Sequence, residues 1–227
     1  MDGAEAVVDR PSAARYAPAM PFDALVSAFV TLLVVVDPIG LAPAFLAVTD
    51  GLSAAARRQV AWRASVTAAI ILAGAALGGD WLLAELGISL TAFRIAGGLL
   101  LFSIAFEMVF GVRIERQSKA AEQAIEEHVR HIATFPLAVP LMAGPGAITA
   151  TLLLAGRASH HPQALTVLIG VICVVCAICF GVFLVARPIS RILGITGNVV
   201  LSRLLGVLLA ALAVQYVIDG IRAAMAG

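Results

Sequence analysis

Charge is what this chain has least of. Only 13% of its 227 residues are Asp, Glu, Lys or Arg, against about 25% in an average soluble domain. Roughly half the polar surface that a soluble fold needs is missing. The net charge of +1 leaves no basic surface of the kind that attracts nucleic acid. Lysine is nearly absent: Lys119 stands alone among arginines, a bias that, with the abundant alanine, reads as genomic. Cysteine is scarce too, and Cys173, Cys176 and Cys179 all lie inside one apolar stretch. Their CxxCxxC spacing resembles part of an iron–sulfur motif, but no fourth ligand or flanking loop accompanies it, so they read as packing residues of a helix. His128, His131, His160 and His161 fall in loops with no thiol or acid-rich partner at ligand spacing. Neither a metal nor a cofactor is expected. A cleavable leader is also not evident, because residues 1–20 are mixed and polar and the next apolar run is too long for a signal peptide.

What the chain has in excess is apolar sequence. It is 61% hydrophobic with a mean hydropathy of +1.02. Runs of about 20 apolar residues, the length that spans a bilayer, occur six times: 22–48, 60–77, 91–110, 132–155, 163–186 and 199–221. The connections between them include "GGDWLLAELG", "GRASHHP", "RPISRILGITGN" and a charged loop over 113–130. In that loop Ile125, Val129 and Ile132 recur at helical spacing among acids, which predicts a short surface helix with a solvated face. Arginine and lysine number ten in the loops after spans one, three and five, Arg113 among them, and five on the other side. That asymmetry predicts both termini outside the inner membrane. Trp62 and Trp81 suit its interfaces.

The chain also repeats itself. "RIAGGLLLFSIAFEMVFGV" from Arg94 aligns without gaps on "RLLGVLLAALAVQYVIDGI" from Arg203, so that Arg94, Gly97 and Gly111 match Arg203, Gly206 and Gly220 at an offset of 109 residues. Pro145 in "PLMAGPGAITA" follows Pro38 in "VVVDPIGLAPAF" by 107. The expected fold is thus all-α, six transmembrane helices in two inverted three-helix repeats. Its parts are a polar tail (1–21), a first repeat (22–111), a charged connection (112–131) and a second repeat (132–222). Three spans make an odd number, so the halves must lie upside down to one another, the plan of many secondary transporters.

Against this background "VVVDPIG" is anomalous. An acid in a span costs about 2.5–3.5 kcal/mol on insertion scales, and a proline inside a helix about 3 kcal/mol. Irregular backbone at membrane depth persists where it is buried in protein or lines a cavity. The matching positions of both halves, Asp37–Pro43 and Gly144–Gly146, therefore predict helices 1 and 4 interrupted near the midplane. Their free N–H groups would seat a carboxylate, and the opposing carbonyls a cation or ammonium group. The candidate substrate site is Asp37, Pro38, Ile39, Gly40, Gly144, Pro145, Gly146 and Thr149. Asp37, which Gly144 faces in the repeat alignment, is the candidate for coupling a proton or sodium ion. Arg94 and Arg203 read as interfacial anchors or gating groups. Thr31, Thr149 and Thr151 would cap backbone or touch substrate. Glu107 and Asp219 would each pair with an arginine. Gly74 with Gly78, and Gly97 with Gly98, read as close-packing sites.

Four stretches, "DPIGLAPAFLAVT", "FRIAGGLLLFSIAFEMVFG", "PLAVPLMAGPGAITA" and "LSRLLGVLLAALAVQYVIDGI", together resemble the MarC family of bacterial and archaeal inner-membrane proteins. The likeness runs in order from Phe22 to Arg222. It implies a six-span fold of the lysine-exporter superfamily type. It also implies a transporter, small neutral amino acids being the best-supported substrate class among relatives. Leu41 stands where the family frequently has Asn, a departure that bears on how apolar the site is. The expectation is a carrier of a small solute, working by alternating access in the lipid bilayer, with no nucleic-acid partner; an oligomer is compatible with it. Alternatives are a membrane scaffold, which would pack its midplane solid, or a channel, which needs a continuous polar path. An enzyme, with Asp37 and Asp219 as a carboxylate dyad, is not expected.

Overall fold

The computed structural model describes residues 22–113, 116, 142–158 and 162–226, and every described element is helical. The polar tail, the surface helix expected in the charged loop, the four histidines and the first part of the fourth span lie outside the described residues. The helices are α1 (Phe22–Val36), α2 (Leu41–Val48), α3 (Ala54–Glu85), α4 (Leu90–Phe110), α5 (Pro145–Ala158), α6 (Pro162–Leu184) and α7 (Ala186–Ala226). Four stretches are long and apolar enough to cross a membrane: α3, α4, α6 and the Thr196–Ala226 part of α7. The bent pair α1–α2 makes a fifth.

Two connections expected to be loops are helix. The first expected loop, "GGDWLLAELG", continues α3 to Glu85 because Gly79 is enclosed there: a Cβ on it would strike Leu152 of α5. "RPISRILGITGN" is helical on both sides of a break at Gly194, whose φ of 61° and ψ of −173° are accessible to glycine. Serines start α3 and α4, as Ser53 Oγ accepts from Ala56 N at 3.2 Å and Ser89 Oγ from Ala92 N at 3.1 Å, satisfying donors that the first turn leaves open.

Small residues share the interior with large ones: Ala61, Ala64, Ala68, Ala105 and Ala150 are buried beside Leu101, Leu153 and Ile172. Other large apolar side chains point outward, with Ile70 66% and Leu204 61% exposed. An apolar exterior this extensive needs an apolar solvent. Trp62 and Trp81 are exposed near the two ends of α3, as interfacial tryptophans would be. Gly74 and Gly78 have nothing within 4 Å of a built Cβ, so the close-packing role expected of them is not found.

The tightest seam joins α4 to α7. A Cβ on Gly98 would come 2.7 Å from Val217 Cγ2 and 2.8 Å from Ala213 O. On Gly206 it would come 2.8 Å from Met108 Cβ and 3.1 Å from Ala105 O, and on Gly220, 2.7 Å from Ile95 Cγ1. The start of α4 thus lies against the end of α7 and the end of α4 against its middle, so the two helices run antiparallel with their backbones nearly touching. Helices α1, α5 and α6 pack together and against this pair, and α3 lies along α5 and α6. Phe45 of α2 stacks on Phe183 of α6 at 4.4 Å.

Candidate functional site

The break between α1 and α2 follows from its residues. Asp37 N still reaches Leu33 O at 2.9 Å, but Pro38 has no N–H to offer the carbonyl one position on. The residue before a proline is pushed out of the right-handed helical region, and Asp37 sits at φ 54°, a left-handed conformation that Asp tolerates better than most residues. The chain re-enters helix with Leu41 N on Asp37 O at 3.1 Å, bent by 45°.

Asp37 is buried, 2% exposed, and its Oδ1 accepts from Gly40 N at 3.0 Å. The acid therefore caps the positive end of α2 itself. Gly40 must lack a side chain, since a Cβ there would collide with that carboxylate. Pro38 is buried and Ile39 half-buried.

The second break comes alongside. Met142 is helical, Ala143 and Gly144 are not, and α5 starts at Pro145. A Cβ on Gly146 would strike Ile104 of α4 and lie 3.5 Å from Val35 Cγ1, so the end of α1 and the start of α5 meet. Fifteen residues of α1 precede Asp37 and eight of α2 follow Gly40, so the first break falls past the middle of the bent pair, and Ile104 lies about 20 Å along α4.

That offset brings in a residue that sequence reading placed elsewhere. Arg113, counted as a loop charge, is 7% exposed and folds back from the end of α4. Its Nη2 donates to Val35 O at 2.7 Å and its Nη1 contacts Met108 Sδ at 3.0 Å. Val35 O is a helix-terminal carbonyl, the negative end of α1. The guanidinium is also near enough for its charge to act on Asp37. A signal for it existed: the 109-residue offset pairs Arg113 with Arg222. Arg222 itself is exposed.

The other expected residues separate. Gly144 is half-buried and Pro145 exposed, while Thr149 is buried with its methyl toward Gly97. Thr151 Oγ1 donates within its own helix, to Ala147 O at 2.8 Å, and Thr31 is fully buried. Arg94 is half-buried and Arg203 exposed, at opposite ends of the α4–α7 seam. Neither joins the ion pairs among the described residues, which are Arg116–Glu107 at 2.9 Å and Arg157–Asp219 at 3.0 Å. Gln215 Nε2 donates to Asp219 at 2.7 Å, and Arg157 stacks over Tyr216. Asp219 neighbours Gly220, which lies at the start of α4, about 15–20 Å along that helix from the breaks. Asp37 and Asp219 thus form no dyad. Cys176 and Cys179 are core residues of α6.

The fold and site define a polytopic α-helical membrane protein with an interrupted span and a buried acid at the interruption. The family model for "MarC family integral membrane protein" matches residues 22–225, and the chain belongs to that family. It is 36% identical over 199 residues to the "UPF0056 membrane protein YhcE" of Escherichia coli, covering 88% of this chain and 92% of the relative. It is 35% identical to the "UPF0056 membrane protein MJ1677" of Methanocaldococcus jannaschii, covering 91% and 100%. An Aquifex aeolicus "UPF0056 membrane protein" is 38% identical over 87% of this chain. No solved structure matches.

Proposed function

We propose that the protein is a secondary transporter of a small neutral solute, a small amino acid above all, and that its site is the junction of the two helix breaks. The observation that carries this reading is the buried acid Asp37 at a left-handed backbone kink, two residues past Val35, which the start of α5 meets. Burying an acid and interrupting a span both cost stability; a lipid-facing anchor or scaffold has no use for either. The first turn of α5 holds no acidic side chain, so its N–H groups offer the positive helix end that a carboxylate would take. Asp37 would balance the solute's amine or carry a coupling ion. No enzymatic step is assigned to it.

Two inverted three-helix repeats suit this role, and the α4–α7 seam supports them. Under the 109-residue offset the Gly206–Met108 contact maps, within one residue, onto the Gly98–Val217 contact, as a two-fold axis in the membrane plane requires. Alternating access would rock one half against the other. In a bacterial inner membrane both termini would face outward, since discounting buried Arg113 still leaves nine basic residues against five.

The test is counterflow of labelled glycine and alanine in proteoliposomes, with Asp37→Asn alongside. Uptake by the wild type and its loss in the variant supports a carrier with its site at the breaks. Folded protein without counterflow for these or other small solutes refutes it and favours a scaffold.

A further inference from the structure

We propose that Arg113 is a tethered cation that occupies the carbonyl end of the broken first span, on Val35 O two residues before buried Asp37, and closes that seat to metal ions. The seat matters for transport only if the break is the transport site, the reading given above; its existence does not depend on it.

An interrupted helix exposes two poles, terminal carbonyls on one side and terminal N–H groups on the other. In this break the chain fills both with its own charges. Asp37 takes Gly40 N at the head of α2, and Arg113 takes Val35 O at the tail of α1. Both side chains are more than nine-tenths buried. A lone buried carboxylate beside free carbonyl oxygens is the donor set that a hard monovalent cation such as sodium would use, being all oxygen. With the guanidinium seated, Val35 O is already bonded and a positive charge already stands at that helix end. The long side chain reaches the seat only because the break lies toward the end of α4, where Gly111 at φ 82° turns the chain back. Arg113 is thus a positioning residue, joined to the charged connection that follows it. A solute entering this site meets a fixed acid and a fixed base, each held by backbone, and needs no accompanying metal ion.

The experiment uses the full chain purified in detergent, without solute, melted in sodium chloride and in choline chloride at equal ionic strength. Wild type and Arg113→Lys should melt alike in both salts. Arg113→Gln keeps a donor for Val35 O but loses the charge; it should melt lower in choline and be raised by about 5 °C at saturating sodium. Lithium and potassium would rank the seat's size. A sodium response in the wild type, or none in Arg113→Gln, overturns the proposal. Should Arg113→Gln fail to fold, Asp37→Asn/Arg113→Gln decides the matter. Removing both charges should recover folded protein that the single change loses, and a double variant no better than the single one refutes the charge balance. None of these readings uses transport, so they stand apart from the counterflow result.

Discussion

Replacing Gly98 by alanine should destabilise the protein, and replacing Gly78 by alanine should not. Alanine is the better helix former by about 0.5–1 kcal/mol, and at Gly78 nothing lies within 4 Å of the added carbon. At Gly98 the same carbon meets Val217 Cγ2 at 2.7 Å, Ala213 O at 2.8 Å and Val217 N at 3.1 Å. Two of those atoms are backbone and cannot rotate away, so α4 and α7 must separate. Overpacking of this kind costs about 1–3 kcal/mol, which outweighs the propensity gain and leaves a net loss of about 1–2 kcal/mol. For a chain of this size that is a fall of about 3–6 °C in melting temperature. Thermal unfolding in detergent, followed by helical circular dichroism, reads both variants against the wild type. A Gly98→Ala protein that melts at or above the wild type would refute the close seam. A Gly78→Ala protein that falls equally far would show that glycine loss alone is what the assay detects.

Other outcomes follow from the breaks and the ion pairs. Asp37→Asn retains an acceptor for Gly40 N, so it should fold and yet lose most solute counterflow; wild-type rates across pH in the folded variant would remove Asp37 from the coupling step. Gly144→Leu should block binding sterically, and unchanged solute affinity would contradict a site at the breaks. In Gly40→Ala the new methyl displaces the Asp37 carboxylate from its cap, at a cost of about 1–2 kcal/mol, read as a lower melting temperature. Arg157→Ala removes a pair whose side chains are 40% and 32% exposed, worth under about 1 kcal/mol, and the stacking on buried Tyr216, worth about 1 kcal/mol more, so its melting temperature should fall by only a few degrees.

Much of this architecture is written in local pattern. The limits of α4 and α6 fall within one or two residues of the apolar runs, since hydropathy and bilayer thickness dictate them directly. The first break was legible because Asp and Pro side by side violate two rules at once. Its surroundings were not: the start of α5 meets Ile104 of α4 and Val35 of α1 there, and those are tertiary contacts. Nor was the continuity of α3 through Gly78 and Gly79 legible, because glycine weakens a helix in isolation and Leu152, which encloses Gly79, is far away in sequence. Arg113 was misplaced for a related reason. Counting basic residues by loop treats each as solvated, whereas a residue two positions past a left-handed glycine can fold back onto its own domain.

The seam between α4 and α7 also has a consequence for synthesis. The surface around Gly98 that α7 covers has no permanent cover until the chain has been extended past residue 217. Through that interval the nascent first half shows the bilayer a groove shaped for a helix running the opposite way.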